Sequence, residues 1–296
     1  MQVRYQMPFD REREDASNII ALEHINLQQP DQQLAALFYV AGLQFTRDPY
    51  LMVGVDNMWI NIGRTQMHLP THPSAGQQLR GTIGITVPDI DLLERSLCKV
   101  QPALAGTRFD FHRSADTISV NCPWGNRFHC HPPDPERWGS TQLGIVYVEF
   151  DVASASARPV ADFYTRMLGA PTHLEPNVHG LETAVVRVGA DQQLRFAETR
   201  ESIAAYDGHH IQVYVADFSG PYRRLKERNL VSKETNAHEW RFIDIIDVDT
   251  GETVYQLEHE VRSLRHPLCG RPLVNRNPEQ SNAAYSKGHD AFRGMY

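Results

Sequence analysis

Hydrophobic and polar residues alternate in four stretches of the chain, which begin at Leu22, Gly81, Val146 and His209. Alternation with a period of two predicts a β-strand that has one face on a hydrophobic core and one polar face. Each stretch continues into a turn and then into apolar residues at helical spacing. After each predicted helix, short strand-like runs indicate about three more strands. The pattern therefore predicts a β-α-β-β-β module that occurs four times.

The repeat is also visible in the residues themselves. Phe38-Tyr39 and Phe163-Tyr164 occupy the same place in the first and third modules, and Asp89 and Asp217 follow the first strands of the second and fourth. We expect an α+β fold in which four modules (20–72, 80–134, 143–200 and 208–262) form two paired-module half-barrel domains. The predicted domains are residues 1–137 (modules 1 and 2, with the metal site), residues 138–262 (modules 3 and 4) and an irregular tail, 263–296.

Composition and charge narrow the function classes. The 296 residues are 41% hydrophobic and 22% charged, which is typical of a globular protein. A net charge of −7 argues against nucleic acid or an anionic membrane as the partner. The four cysteines show no C-x-x-C spacing, and the charged N-terminal stretch lacks the apolar core of a signal peptide. We therefore expect a cytoplasmic protein with free thiols.

The four-module plan, the Phe-Tyr-x-x-x-Leu-Gly pattern and the turn "PWGNRFH" at 123–129 resemble the vicinal oxygen chelate superfamily. This superfamily includes glyoxalase I, bleomycin-resistance proteins and extradiol dioxygenases. The resemblance covers residues 20–260. It implies that two modules pack side by side and that their curved sheets form a cup, which holds a divalent metal through residues of the first and last strands.

The resemblance also selects candidate ligands, because the polar phase of the strands supplies histidines at its ligand positions. Three of the four positions of an N-terminal cup would carry His24, His68 and His129, with Thr82 at the fourth. His129 would replace the usual glutamate. The alternative is a cup that binds an organic ligand through the same histidines. Candidate second-shell or acid–base groups are Asn26, His72 and His131.

A cup formed by modules 3 and 4 matches the ligand pattern less well. Its positions would be Glu149, Arg195, His210 and either Tyr255 or Gln256. A guanidinium group repels a cation, so Arg195 is expected to pair with Glu149 instead. We expect Glu258 and Glu260 to lie at a solvated strand end.

Three neutral imidazoles would leave a bound cation its full charge and open positions for substrate. Histidine ligation suits Fe(II), which we favour, as well as Zn, Ni, Co, Mn or Cu. We therefore expect a mononuclear-metal dioxygenase acting on a small organic substrate that chelates the metal through adjacent oxygens. The alternatives are a glyoxalase-like lyase or isomerase working through a metal-stabilised enolate, and a non-catalytic protein of the bleomycin-resistance type. Either a monomer or a homodimer could complete two cups.

Overall fold

A computed structural model describes residues 11, 15–51, 56–72 and 75–292, and these residues form two mixed eight-stranded sheets. We call them the outer-module sheet, built from modules 1 and 4, and the inner-module sheet, built from modules 2 and 3. The predicted α+β class with four β-α-β-β-β modules is confirmed. Within the described residues, no helix combines the length and apolar character needed to cross a bilayer.

The outer-module sheet takes its strands from the two ends of the chain, in the order β14-β15-β16-β13-β1-β4-β3-β2. Its strands are β1 (Ile19–Asn26), β2 (Thr46–Arg47), β3 (Asn57–Ile62), β4 (Thr65–Pro70), β13 (His210–Val215), β14 (Val231–Asn236), β15 (Glu239–Ile246) and β16 (Thr253–Ser263).

The inner-module sheet has the equivalent order, β10-β11-β12-β9-β5-β8-β7-β6. Its strands are β5 (Gly81–Thr86), β6 (Asp110–Ser114), β7 (Thr117–Asn121), β8 (Arg127–His131), β9 (Gly144–Ala153), β10 (Thr172–Pro176), β11 (Glu182–Arg187) and β12 (Gln193–Thr199).

The helices follow the first strand of each module, as the pattern predicts. They are α1 (Gln32–Ala35, continued as a π-helix over Ala36–Gly42), α2 (Ile90–Val100, continued as a 3₁₀ turn over Gln101–Leu104), α4 (Ala157–Phe163, continued as a π-helix over Tyr164–Leu168) and α5 (Ser219–Lys226), with α3 (Pro135–Trp138) in the central linker. The carboxylates of Asp31 and Asp89 accept backbone N–H bonds at the starts of α1 and α2, which satisfies donors that a helix leaves unpaired.

The pairing of the modules differs from the prediction. Strand β1 pairs antiparallel with β13, and β5 pairs antiparallel with β9, so module 1 shares a sheet with module 4 and module 2 with module 3. The expectation that consecutive modules form one cup is therefore wrong. The first strands of all four modules have a similar alternation of apolar and polar residues. This alternation alone does not determine which of these strands pair with each other. Consecutive modules contact each other through their helices instead: α2 packs on the π-helix after α1, and α5 packs on the π-helix after α4.

The hydrophobic core contains the residues that the alternation of apolar and polar positions predicts. The apolar phase of the four first strands is fully buried, as are the Phe-Tyr pairs of modules 1 and 3. Burying such side chains contributes about 1.5–3 kcal/mol each, so it fixes which face of each strand is turned inward. The opposite phase of each strand lines the concave face of its sheet, where the candidate ligands are.

Candidate metal site

Strand register brings residues from both ends of the chain together on the concave face of the outer-module sheet. His24 of β1 lies opposite Gln212 of β13, and Gln212 lies beside Glu260 of β16. One step further along, Asn26 lies opposite His210. The polar phases of β1, β13 and β16 therefore meet at the centre of one cup.

Three of these side chains form a cluster with the composition of a metal site. One ligand atom each from His24, His210 and Glu260 lies within 4.8 Å of the other two. Their side chains are only 1%, 12% and 3% exposed. A His/His/carboxylate set is typical of mononuclear transition-metal sites with open coordination positions.

Unsatisfied polar atoms in the same place fit a metal or its bound water. Nε2 of His24 is buried and has no hydrogen-bond partner among the described residues, and Nδ1 lies 3.5 Å from Oε2 of Glu23. Both amide atoms of the adjacent, fully buried Gln212 also lack partners in the described part of the chain. Because buried polar groups are rarely left unpaired, these atoms fit a site that takes a metal ion or a water molecule.

The charges around the cluster fit a divalent cation. Four carboxylates, of Glu23, Glu239, Glu258 and Glu260, are linked by ion pairs to the guanidinium groups of Arg241 and Arg262. Arg241 lies 2.6 Å from Glu258, and Arg262 lies 3.2 Å from Glu239 and 3.4 Å from Glu23. With four carboxylates and two guanidinium groups, these ion pairs carry two negative charges in excess. Such an excess in a poorly solvated site attracts a dication.

The protonation states also favour metal binding. Burial lowers the pKa of His24, so its imidazole is neutral near pH 7 and has a free lone pair. Burial alone would raise the pKa of Glu260, but His210 and the nearby His24, Arg262 and Arg241 together lower it, so the carboxylate is ionised. Metal ligands must be deprotonated in this way.

His68, a predicted ligand, lies beside the cluster but not within it. Its ring centroid is 6.0 Å from that of His24, and it stacks on Trp59 at 3.9 Å. Asn26 donates to Nδ1 of His68 over 2.7 Å, and Nε2 of the ring bonds Oδ1 of Asn57 over 2.7 Å. Burial lowers the pKa of His68 to about 2. A neutral ring with both nitrogens engaged forms a wall of the cup, and Asn26 holds it there.

His129 is on the other sheet, which corrects the predicted His24–His68–His129 set. It lies on β8 with Nδ1 3.4 Å from the Tyr147 hydroxyl, and Nε2 of His131 lies 3.1 Å from the same hydroxyl. The two imidazole rings are 4.3 Å apart, and that of His131 is 6.4 Å from the Trp138 ring. The histidines that follow the PWGN turn thus belong to an aromatic cluster in the inner-module sheet. His72, another candidate, lies outside the three-residue cluster, and its backbone N–H donates to the Gln29 carbonyl.

The concave face of the inner-module sheet carries the other predicted positions. Thr82 lies opposite Glu149, and Arg195 donates from Nε to Glu149 over 3.0 Å and from Nη2 to Glu175 over 2.6 Å. The expected Arg195–Glu149 pair is confirmed. Glu149 and Arg195 border an open cavity of about 640 Å³. Arg195, ion-paired with two carboxylates, occupies one of the predicted ligand positions of this cup, and a guanidinium group does not ligate a cation. His210, predicted for the same cup, belongs to the outer-module sheet.

Glu260 is the member of the cluster that the sequence pattern misses. The predicted positions on its strand were Tyr255 and Gln256, and Glu260 was expected in a solvated strand end; it is 2% exposed and lies in the cluster. Tyr255 packs in the core under Arg80, and Gln256 bonds Asp244 over 3.0 Å. The alternation in "QLEHE" places Glu258 and Glu260 on one face, but only the register of β16 against β13 puts Glu260 beside His24.

Comparisons with known proteins support the fold. Among solved structures, the chain is similar to a putative dioxygenase from Bacillus subtilis subsp. subtilis str. 168, with 12% identity over 84% of this chain and 86% of that chain and a TM-score of 0.55. It is also similar to glyoxalase I from Zea mays, with 12% identity over 82% of this chain and 92% of that chain and a TM-score of 0.56. No family model and no curated protein sequence matches the chain. The vicinal oxygen chelate resemblance is thus confirmed as a fold.

Proposed function

We propose that this chain, which has the vicinal oxygen chelate fold, is a mononuclear-metal dioxygenase with His24, His210 and Glu260 as metal ligands. The observation that carries the proposal is the meeting of these three ligand atoms within 4.8 Å in a buried site. Two histidines and one carboxylate with open positions are typical of non-haem Fe(II) oxygenases, whereas structural zinc sites are closed by four ligands. The substrate class is a small organic molecule with two adjacent oxygens.

When bound, the metal would supply Lewis acidity and positions for the two substrate oxygens and for dioxygen. The chain's own residues shape the space around it. Arg241 and Arg262 hold the two carboxylate oxygens of Glu260, which fixes the orientation of that ligand. The stacked Trp59 and His68 form an aromatic wall beside His24 on the module 1 side of the cup.

The second candidate is a lyase or isomerase, and the position of Glu23 favours it. Glu23 is a buried carboxylate outside the ligand set; Oε2 lies 3.5 Å from Nδ1 of His24, and the Tyr214 hydroxyl lies 3.4 Å from both carboxylate oxygens. A carboxylate so placed could take up a proton α to a substrate carbonyl. The two reactions differ in their need for oxygen.

The first test is the metal content of protein purified without a metal-affinity tag and reconstituted under argon. We expect about one equivalent of metal, and His24→Ala and Glu260→Gln should lower metal affinity by at least about 100-fold, because each removes a ligand. The matched controls are His129→Ala and Glu149→Gln, the same residue types on the inner-module sheet, which should retain the metal. Loss of metal only in these controls would place the site in the other cup.

Oxygen dependence then separates the two reactions. A dioxygenase consumes O₂ and stops under argon, while a lyase or isomerase is indifferent to O₂ but stops with a chelator. A chain that binds a ligand equally well after chelation, and never holds metal, would be a non-catalytic binding protein and would end the proposal.

A further inference from the structure

The metal cluster is enclosed, although the proposed reaction needs an organic molecule to reach it. The ligand side chains of His24 and Glu260 are 1% and 3% exposed. Open coordination positions can be used only if a covering part of the protein moves. The chain segment after β16, residues 264–276, lies over one end of this cup, and we call it the tail segment.

The tail segment bridges the cup from module 4 to module 1. At the module 4 side, Nε2 of His266 lies 3.9 Å from Oε2 of Glu239, and its ring is 6.5 Å from that of Tyr214. At the module 1 side, Arg271 donates to Oδ2 of the fully buried Asp48 over 2.7 Å. Asp48 also lies 3.3 Å from Nε2 of Gln66, the strand neighbour of His24. Both contacts are to side chains of the concave face.

The module 4 contact reaches the ion-pair network around the cluster. Glu239, which His266 approaches, also lies 3.2 Å from Arg262, and Arg262 pairs with both Glu23 and Glu260. Between the two contacts of the tail segment, Cys269 is partly buried. The tail segment therefore lies at the side of the cup that carries the carboxylate network.

Polar contacts, rather than an apolar core, hold the tail segment down. The amide of Asn275 accepts from the N–H of Gly63 over 2.9 Å and donates to the carbonyl of Gly63 over 2.8 Å. Asn61 donates to the carbonyl of Val274 over 2.8 Å. The apolar side chains of Leu264 and Val274 stay 48% and 38% exposed. A segment with few buried apolar side chains opens at a lower free energy than the sheet below it.

We propose that the tail segment is a lid on the metal cup: the Arg271–Asp48 ion pair and the Asn275–Gly63 bonds keep it closed, and its release admits substrate and lets the metal exchange. This inference rests on the proposed function, since it gives the access route to that metal site. It assigns Arg271 and Asn275 as positioning residues that touch neither metal nor substrate.

The test measures opening directly on the full chain loaded with Zn²⁺. One readout is the rate at which a chromophoric chelator removes the zinc, and the other is thiol labelling with mass-spectrometric assignment of each cysteine. Exposed Cys98 reports reagent activity, while buried Cys122 and Cys130 react only if the whole protein unfolds. Arg271→Ala and Asn275→Ala release the two anchors separately. Arg265→Ala is the control, an exposed arginine of the same segment whose side chain has no hydrogen bond or ion pair with any other described residue.

We expect both release variants to lose zinc and to label at Cys269 about tenfold faster than the wild type. The loss of one charged hydrogen bond at Arg271, or of two neutral ones at Asn275, shifts the opening equilibrium by this order. Arg265→Ala should match the wild type, and Cys122 and Cys130 should stay unlabelled. Unchanged zinc release in both variants would overturn the lid, with or without faster labelling of Cys269. Failure of the proposed function is seen separately, as a lack of bound zinc in every variant including the wild type.

Discussion

The outer-module and inner-module sheets are built from the same module in the same strand order, but their concave faces differ in chemistry. In the first, imidazoles and a carboxylate converge around atoms that lack partners among the described residues, within a network that has excess negative charge. In the second, Arg195 occupies a predicted ligand position and is satisfied by Glu149 and Glu175. One scaffold thus carries either a His/His/carboxylate cluster or an arginine–carboxylate cluster, depending on which side chains follow the polar phase of its strands.

The two cups also differ in how their space is filled. At Gly84 of the inner-module sheet, an added Cβ would lie 2.1 Å from the ring of Tyr147, so the tyrosine occupies the place of a side chain there. His129, His131 and Trp138 pack around this ring. In the outer-module cup, the tail segment instead bridges module 4 and module 1. The concave face of this cup is lined by polar groups.

The largest expected difference concerns the guanidinium groups of the two cups. Arg262→Met removes the guanidinium group that pairs with Glu23, Glu239 and Glu260 in a buried site, and Arg241 remains for the latter two. We expect it to lower the free energy of unfolding by about 3–5 kcal/mol. Arg127→Met removes the half-exposed pair with Asp151 in the inner cup and should cost less than about 1 kcal/mol. Urea unfolding of both variants with EDTA present measures the difference; equal costs would show that the outer network is not effectively buried.

We expect an intermediate effect on stability when a side chain is added at Gly84, where the ring of Tyr147 lies. Gly84→Ala should destabilise the protein by about 1–3 kcal/mol because the new methyl group collides with the Tyr147 ring. In a Tyr147→Leu background, the same substitution should cost much less. A double-mutant cycle by thermal unfolding gives the coupling energy, and a coupling near zero would mean that Tyr147 does not pack over Gly84 as described.

A smaller effect concerns the pH dependence of the inner cup. Burial, followed by His129 and Arg137, lowers the pKa of His131 to about 4 from an unfolded value of 6.5. Between these pH values the unfolded chain takes up a proton that the folded chain does not, so this contribution is complete above pH 6.5 and is lost as the pH falls. His131→Gln should remove about 3 kcal/mol of the stability loss between pH 7 and pH 4. The prediction is wrong if the wild type and His131→Gln lose the same free energy of unfolding between pH 7 and pH 4.

Much of the fold could be predicted from the sequence alone. The strict alternation in the first strands determines which side chains are buried, because a shift by one residue would expose the whole apolar set. The Asp-containing turns and the Phe-Tyr positions give the module order, and the module order gives the α+β class. His24 and His210 are predicted as candidates on the polar phase of their strands for the same reason.

The composition of the site was decided by the tertiary structure. The sequence grouped His24 with His129 and assigned His210 to another cup, because it places modules 1 and 2 next to each other in the chain. Pairing of β1 with β13 reverses this grouping, and the register of β16 brings in Glu260. The alternation along a strand is a local property, set by each residue's own burial. Which strand pairs with which, and in what register, depends on contacts between residues that are far apart in the chain. Because the first strands of the four modules are similar, the sequence near each strand does not indicate those contacts.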